Sequence, residues 1–98
     1  MHFVVYALDK AGAAGLRAAH RDAHRHRLRN HDHPVKVIAA GPLLDAKETA
    51  IGSLIIIEAD AKAAVDAFKA ADPYVLNKLY ATIDIRPFAW TIGAPPPA

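Results

Sequence analysis

Two short segments of the chain are apolar on both of their alternating faces, and they restrict the folds that the chain can form. They are residues 2–8 (HFVVYAL) and residues 51–58 (IGSLIIIE), both rich in β-branched or aromatic side chains. This composition is typical of β-strands. A strand that is apolar on both faces must be covered on both sides. The fold must therefore place a sheet between two apolar layers.

Two helices are predicted, one in each half of the chain. The first covers residues 13–30 and ends before Pro34, because proline disfavours the α conformation in the residue that precedes it. Its narrow apolar edge consists of Leu16, Ala19 and Ala23. The second covers residues 61–70, and Asp60 is predicted to cap its first turn. Its apolar positions at helical spacing are Ala64, Val65 and Phe68.

Two further strands complete the pattern. One covers residues 35–40 and ends in Gly41-Pro42, a pair that is typical of turns. Residues 43–47 either continue this strand or lead into a turn. The other covers residues 81–92, where the apolar alternation changes parity at Pro87. Such a change indicates either a β-bulge or a strand at the edge of the sheet.

The predicted order is βαββαβ, the ferredoxin-like arrangement of a four-stranded antiparallel sheet with two helices on one face. This α+β domain spans residues 1–92, and residues 93–98 form a proline-rich tail that we expect to be flexible. Two helices cannot cover both faces of the sheet. Because two strands are apolar on both faces, we predict that the open face packs against a second copy in a homodimer.

Composition and charge exclude some classes of protein. The chain has 98 residues and no cysteine, which excludes disulfides and thiolate catalysis. It has no apolar run as long as a membrane span and no signal-peptide pattern, so we expect a cytoplasmic protein without membrane contact. The net charge is only +2 at pH 7, yet five of the six arginines lie within residues 17–29. Such a cluster attracts small anions to one surface.

The first helix carries an unusual stripe of side chains. Its members are Arg17, Arg21, His24 and Leu28. A helix advances about 100° per residue, so these positions fall within a sector of roughly 60°. Two guanidinium groups therefore lie beside an imidazole on one face. The stripe suits an anionic ligand, but it does not define a reaction.

Four short motifs resemble those of a known family. They are Arg17-x-x-x-Arg21-x-x-His24-x-x-x-Leu28, Ala40-Gly41-Pro42-Leu43, Asp72-Pro73-Tyr74 and Pro87-Phe88. In this order and spacing, over nearly the whole chain, they resemble the YciI-like, or YCII-related, family. The resemblance implies a dimeric α+β barrel of ferredoxin-like protomers. It also implies a pocket in which His24 and Asp72 form a catalytic pair.

The family is similar in fold to muconolactone isomerases and includes a chloromuconolactone dehalogenase. This chain departs from its pattern at Arg25, where the family usually has an aliphatic residue, so the helix is more polar than usual. We expect Arg25, Arg27 and Arg29 to lie in solvent, as long charged side chains normally do.

The resemblance and the chemistry of the residues together predict an acid-base enzyme. A carboxylate beside a ring nitrogen fixes the imidazole tautomer and favours the imidazolium form, so His24 can take a proton from a carbon acid and return it. The predicted substrate-binding residues are Arg17, Arg21, Gly41, Pro42 and Tyr74. The arginines would hold a carboxylate or stabilise an enolate. The expected reaction is of isomerase, lyase (dehalogenase) or hydrolase type on a small anionic or lactone-like molecule, without a cofactor.

Other interpretations stay open at the level of the sequence. His24 alone could be a surface histidine, and Asp72 before proline could be a turn or capping residue. The same pocket could belong to a non-catalytic accessory protein that binds a small ligand without converting it. His20 and His24 have a spacing that can bind zinc, but no HExxH motif is present and we expect no metal site. The basic helix lacks an accompanying aromatic platform, which argues against nucleic acid as a partner.

Overall fold

The computed structural model describes residues 1–93 and contains a four-stranded antiparallel sheet with helices on one side. The elements are β1 (His2–Asp9), α1 (Ala14–Arg29), β2 (Val35–Leu44), β3 (Ala50–Ala59), α2 (Lys62–Ala70), α3 (Pro73–Leu76) and β4 (Tyr80–Phe88). The strand order is β2-β3-β1-β4, and every pairing is antiparallel. This arrangement confirms the predicted ferredoxin-like α+β fold. The predicted flexible tail lies outside the described residues from position 94 onward.

The two strands that are apolar on both faces occupy the centre of the sheet, as expected. On the helix side, Phe3 and Val5 of β1 pack with Ile55 and Ile57 of β3. Two side chains of α2, Val65 and Phe68, complete this core, and all six side chains are fully buried. The period-two pattern of the strands and the helical pattern of α2 thus meet in one apolar layer.

The other face of the sheet is open in the described part of the chain. Tyr6 of β1 is paired with Leu54 of β3, and these side chains are 45% and 36% exposed. Val4 and Ile56 form the adjacent pair on the same face. Phe88 of β4 extends this apolar surface and is 37% exposed. We refer to these five side chains as the open-face patch.

The structure defines where the outer strands end. β2 continues through Gly41-Pro42 to Leu44, which is one of the two alternatives that the sequence left open. An outer strand tolerates proline because half of its backbone N–H groups have no strand to bond. β4 is also an outer strand and ends at Phe88, so the predicted extension to residue 92 is wrong. Pro87 pairs regularly with Phe3, and the irregularity in this pairing lies at the other end of β1.

The helices differ from the prediction in which side chains they bury. Ala19 and Ala23 of the predicted apolar edge are exposed, whereas the buried residues of α1 are Arg17 and His24. The stripe predicted to bind a ligand is therefore also the face by which α1 packs on the sheet. The predicted cap at Asp60 is wrong as well, because α2 begins one residue later and its N-cap, Ala61, makes no side-chain hydrogen bond.

Gly52 of β3 lies where two backbones approach closely. A Cβ atom at this position would collide with the carbonyl oxygen of Ala7 and approach Leu43 Cδ1 to 3.0 Å. We expect Gly52→Ala to lower the free energy of unfolding by about 2 kcal/mol, the usual scale for overpacking. Urea denaturation would measure this loss.

Gly41→Ala is the matched control on the neighbouring strand, because a Cβ there meets nothing within 4 Å. It should change the free energy of unfolding by less than about 0.5 kcal/mol. Equal destabilisation by both substitutions would contradict the steric argument.

Candidate active site

A cavity of about 400 Å³ lies between α1 and the strands β2 and β3. Its lining includes all the predicted site residues except Asp72, namely Arg17, Arg21, His24, Gly41, Pro42 and Tyr74. The polar face of α1 forms one wall, and the Gly41-Pro42 segment of β2 faces it. Gly41 leaves open space where a side chain would begin. Three of the four sequence motifs thus contribute to one site, and the fourth, Pro87-Phe88, lies on the outer strand β4.

Asp72 lies directly behind His24, although 48 residues separate them in the chain. The Nδ1 atom of His24 is 2.9 Å from Asp72 Oδ1 and 3.0 Å from Oδ2. The same carboxylate accepts the backbone N–H of Tyr74 at 2.9 Å and thereby caps α3. Asp72 is therefore both a capping residue and the partner of the histidine.

A third donor reaches this carboxylate from α2. Lys69 Nζ is 2.6 Å from Asp72 Oδ2, and both side chains are almost completely buried. Burial by itself would raise the pKa of Asp72, but the hydrogen bond from His24 and the charge of Lys69 outweigh it and lower that pKa to about 2. Asp72 is therefore ionised at neutral pH.

The orientation of the His24 ring follows from these contacts. An ionised carboxylate only accepts hydrogen bonds, so Nδ1 of His24 carries the hydrogen that points to Asp72. Tyr74 stacks on the imidazole with ring centroids 4.0 Å apart and an angle of 18° between the planes. Nε2 has no hydrogen-bond partner within residues 1–93, and the ring lines the cavity. The free nitrogen is the one available to a ligand.

Arg17 is held firmly in the floor of the site. Its Nε and Nη2 atoms donate to both oxygens of Asp9 at 2.6 and 2.9 Å. Nη2 also donates to Ser53 Oγ at 2.9 Å, and Ser53 in turn accepts a hydrogen bond from the Tyr80 hydroxyl at 2.8 Å. The guanidinium lies 4.7 Å from the centre of the Tyr74 ring. Two of its nitrogens are thus already occupied by protein groups.

Arg21 and Arg25 are the less constrained cations of the cavity wall. Within the described residues neither is within 4.0 Å of a carboxylate oxygen. Arg25 is exposed, as expected, and it also lines the cavity. Its position four residues after Arg21, itself four after Arg17, is the sequence signal for this placement. Both groups can meet an anion.

The structure adds two polar residues that the sequence interpretation missed. Ser53 interrupts an otherwise apolar central strand, and Lys69 lies four residues after Val65 on the buried side of α2. Each signal is visible in the sequence as a polar residue at an apolar position. Neither the strand pattern nor the helix pattern shows what partner such a residue has.

Two histidines of the loop after α1 form a separate aromatic group. His31 and His33 pack on Phe68, with ring centroids 4.7 and 5.5 Å away. Arg27 lies over the same ring at 4.3 Å and contacts His33 Nε2 at 3.2 Å, so the expectation that it lies in solvent is wrong. No three potential metal ligands come together within residues 1–93. None of the helices in that range is long and apolar enough to cross a membrane.

Residues 1–89 match the YCII-related domain. The chain belongs to the YCII-related family. Protein YciI of Escherichia coli O6:H1 and that of Shigella flexneri are each 33% identical to it over 94 residues, which cover 90% of this chain and 96% of the relative. The resemblance inferred from the four motifs is thereby confirmed.

Solved structures of related fold include an enzyme. The 5-chloro-2-hydroxyhydroquinone dehydrochlorinase TftG of Burkholderia phenoliruptrix AC1100, solved in complex with 2,5-dihydroxybenzoquinone, is 26% identical. It has a TM-score of 0.80, and the match covers 95% of this chain and 96% of TftG. Rv0793 of Mycobacterium tuberculosis shares the fold alone, with 11% identity, a TM-score of 0.57, and coverage of 94% of this chain and 97% of its own. This YCII-related chain thus has the overall architecture of a ligand-binding dehydrochlorinase.

The low pKa of Asp72 predicts how the stability of this YCII-related domain depends on pH. A carboxyl whose pKa falls on folding, from 3.8 to about 2, stabilises the fold above about pH 4, and this stabilisation is lost as the pH falls towards 2. The loss should amount to about 2 kcal/mol. Urea unfolding between pH 2 and pH 6 would measure it.

Asp72→Asn should remove this part of the pH dependence, whereas Asp66→Asn should retain it, because Asp66 forms only an exposed ion pair with Lys62. Identical pH dependence in wild type and Asp72→Asn would show that the carboxylate does not stabilise the fold in this way.

Proposed function

We propose that the protein is an enzyme that transfers a proton on a small anionic ring compound, with His24 as the acid-base residue and Asp72 as its partner. The observation that carries this proposal is the contact of His24 Nδ1 with a buried, ionised carboxylate while Nε2 is free at the cavity. A base needs a lone pair within reach of the substrate and a fixed orientation, and this arrangement provides both.

The charges around the cavity fit a substrate that gains negative charge as it loses a proton. When Nε2 takes a proton from a carbon beside a carbonyl, the electrons move onto the carbonyl oxygen. Arg21 and Arg25 line the same cavity and would stabilise this oxygen. Arg17 is paired with Asp9, so its main effect on such a ligand is to fix the Tyr74 ring that it lies against.

The similar solved structure of TftG suggests a class of substrate. TftG is a dehydrochlorinase and binds 2,5-dihydroxybenzoquinone, a flat ring with acidic hydroxyl groups. A cavity of about 400 Å³ has room for a single ring of this size. We propose a hydroxylated quinone-like or lactone-like ring as substrate. Return of the proton to another carbon would make the reaction an isomerisation, and departure of chloride or another anion would make it an elimination.

Substitution of His24 tests this mechanism. Turnover of 5-chloro-2-hydroxyhydroquinone, followed by chloride release, and isomerisation of unsaturated lactones are suitable assays. In whichever assay the wild type is active, His24→Ala should lower kcat by about 100-fold or more, since the base is lost. His26→Ala changes an exposed histidine of the same helix and should retain wild-type turnover.

Undiminished turnover by His24→Ala would overturn the mechanism. If the wild type binds 2,5-dihydroxybenzoquinone and none of these compounds is converted, the protein is the non-catalytic ligand-binding module instead. Dependence of that affinity on Arg21 but not on His24 would support the same conclusion.

We also propose that the protein is a homodimer formed through the open-face patch. Tyr6, Leu54 and Phe88 are each more than one third exposed on this side of the sheet. Burial of apolar side chains is favourable at about 25 cal/mol for each Å² removed from water. A second copy presents the same patch, so the two sheets can cover each other around a twofold axis.

A charge in the centre of the patch should prevent this association. Leu54→Asp should convert a dimer into a monomer in sedimentation equilibrium at micromolar concentration, because a buried unpaired carboxylate is costly. Leu76→Asp is the control, since Leu76 is 65% exposed on α3, away from the sheet. A wild-type protein that sediments as a monomer would contradict the proposal.

A further inference from the structure

Lys69 is a charged side chain in a place where α2 would ordinarily have an apolar one. Only 2% of its surface is exposed, between the helix and the sheet. Lysine side chains normally extend so that the ammonium reaches water, because burial of an unpaired charge is costly. On the same helix Lys62 does so, with half of its side chain exposed. A buried ammonium therefore needs a specific partner.

The partner of Lys69 is the carboxylate that also holds His24. Lys69 Nζ is 2.6 Å from Asp72 Oδ2, and His24 Nδ1 is 2.9 Å from Oδ1. The Tyr80 ring lies below the ammonium at 5.2 Å. Two groups that can be cations thus share a single negative charge inside the protein.

A positive charge on Lys69 and on His24 at the same time costs free energy. If Lys69 were an ammonium and His24 an imidazolium, two positive charges would compete for one carboxylate in a poorly solvated site. An ordinary ammonium holds its proton about four pKa units more strongly than an imidazole. Burial lowers the pKa of Lys69, and Asp72 opposes that change. Lys69 can therefore supply the counter-charge of Asp72 without a positive charge on His24.

Most of the charged groups around Lys69, Asp72 and His24 are cations. The facing groups are Arg17, Arg21, Arg25 and Arg27 of α1, His31 and His33 of the following loop, Asp9 of β1, Glu48 of the loop after β2, Tyr74 of α3 and Tyr80 of β4. Asp9 is already neutralised by Arg17. Cations therefore outnumber the remaining anion around the Lys69–Asp72 pair.

We propose that Lys69 is a positioning residue that acts through Asp72: it supplies the counter-charge of the carboxylate, so that Asp72 orients His24 without holding it in its protonated form. This inference rests on the proposed function of His24 as a base. It deepens that function, because a neutral Nε2 begins the reaction by accepting a proton from an acidic substrate.

The first test uses the wild-type protein alone. ¹⁵N NMR of histidine-labelled protein at pH 7, with the His24 signals assigned by their loss in His24→Ala, reports which ring nitrogen carries hydrogen. The neutral form with hydrogen on Nδ1 is expected. A His24 ring protonated on both nitrogens at pH 7 would overturn the proposal, whether or not any substrate is known.

The second test removes the charge of Lys69. Lys69→Met should allow His24 to remain protonated to a pH about one unit higher in the same NMR experiment, because Asp72 then has no other cation. Lys69→Arg, which retains the charge, should show the same pH dependence of the His24 signals as the wild type. Lys62→Met, which removes an exposed charge of the same helix, should leave that pH dependence unchanged.

The activity readout separates this proposal from the proposed function. If a substrate is converted, the acid limb of kcat/KM against pH should move upward in Lys69→Met by the same amount as the NMR titration. If neither the acid limb of kcat/KM nor the NMR titration moves in a folded Lys69→Met protein, the role of Lys69 is overturned and the His24 mechanism stays intact. If no compound is converted, the NMR result still decides the role of Lys69.

Discussion

The fold depends on one buried carboxylate that joins all three helices. Asp72 caps α3 through the Tyr74 backbone, accepts His24 from α1 and accepts Lys69 from α2. A buried carboxylate that lacked these donors would be strongly disfavoured, so the helices are stable together only when each brings its donor to the same point. The geometry that makes a candidate catalytic pair is therefore the same geometry that fixes the helical layer.

The site replaces part of the apolar core. α1 buries Arg17 and His24, where most amphipathic helices would bury leucine or valine. Around Arg17, hydrogen bonds to Asp9 and Ser53 join α1 to the sheet where other helices use apolar contacts. Such a network gives less stabilisation than an apolar layer of the same size, but it defines the positions of its atoms closely. The main apolar core is correspondingly concentrated under α2, around Val65 and Phe68.

The sequence predicted the parts of the structure that depend on local patterns. The order of elements and the central position of β1 and β3 follow from apolar periodicity, because a doubly apolar strand has no other stable place. The contact of His24 with Asp72 came from the family resemblance, since periodicity carries no information across 48 residues. The sequence left the end of β2 undecided because an outer strand tolerates Pro42. The burial of Lys69 was missed because helical periodicity does not show that Asp72, three residues later and beyond the end of α2, is its partner.

The two outer strands have one further property in common. β2 contains Pro42 and β4 contains Pro87, and neither residue has a backbone N–H to donate. A strand of another molecule that approached either side would meet an interrupted row of donors, which is a common protection against uncontrolled fibril growth. The sheet is thereby discouraged from extending sideways. The homodimer proposed above uses the face of the sheet instead, where contact between two copies is limited and closes on itself.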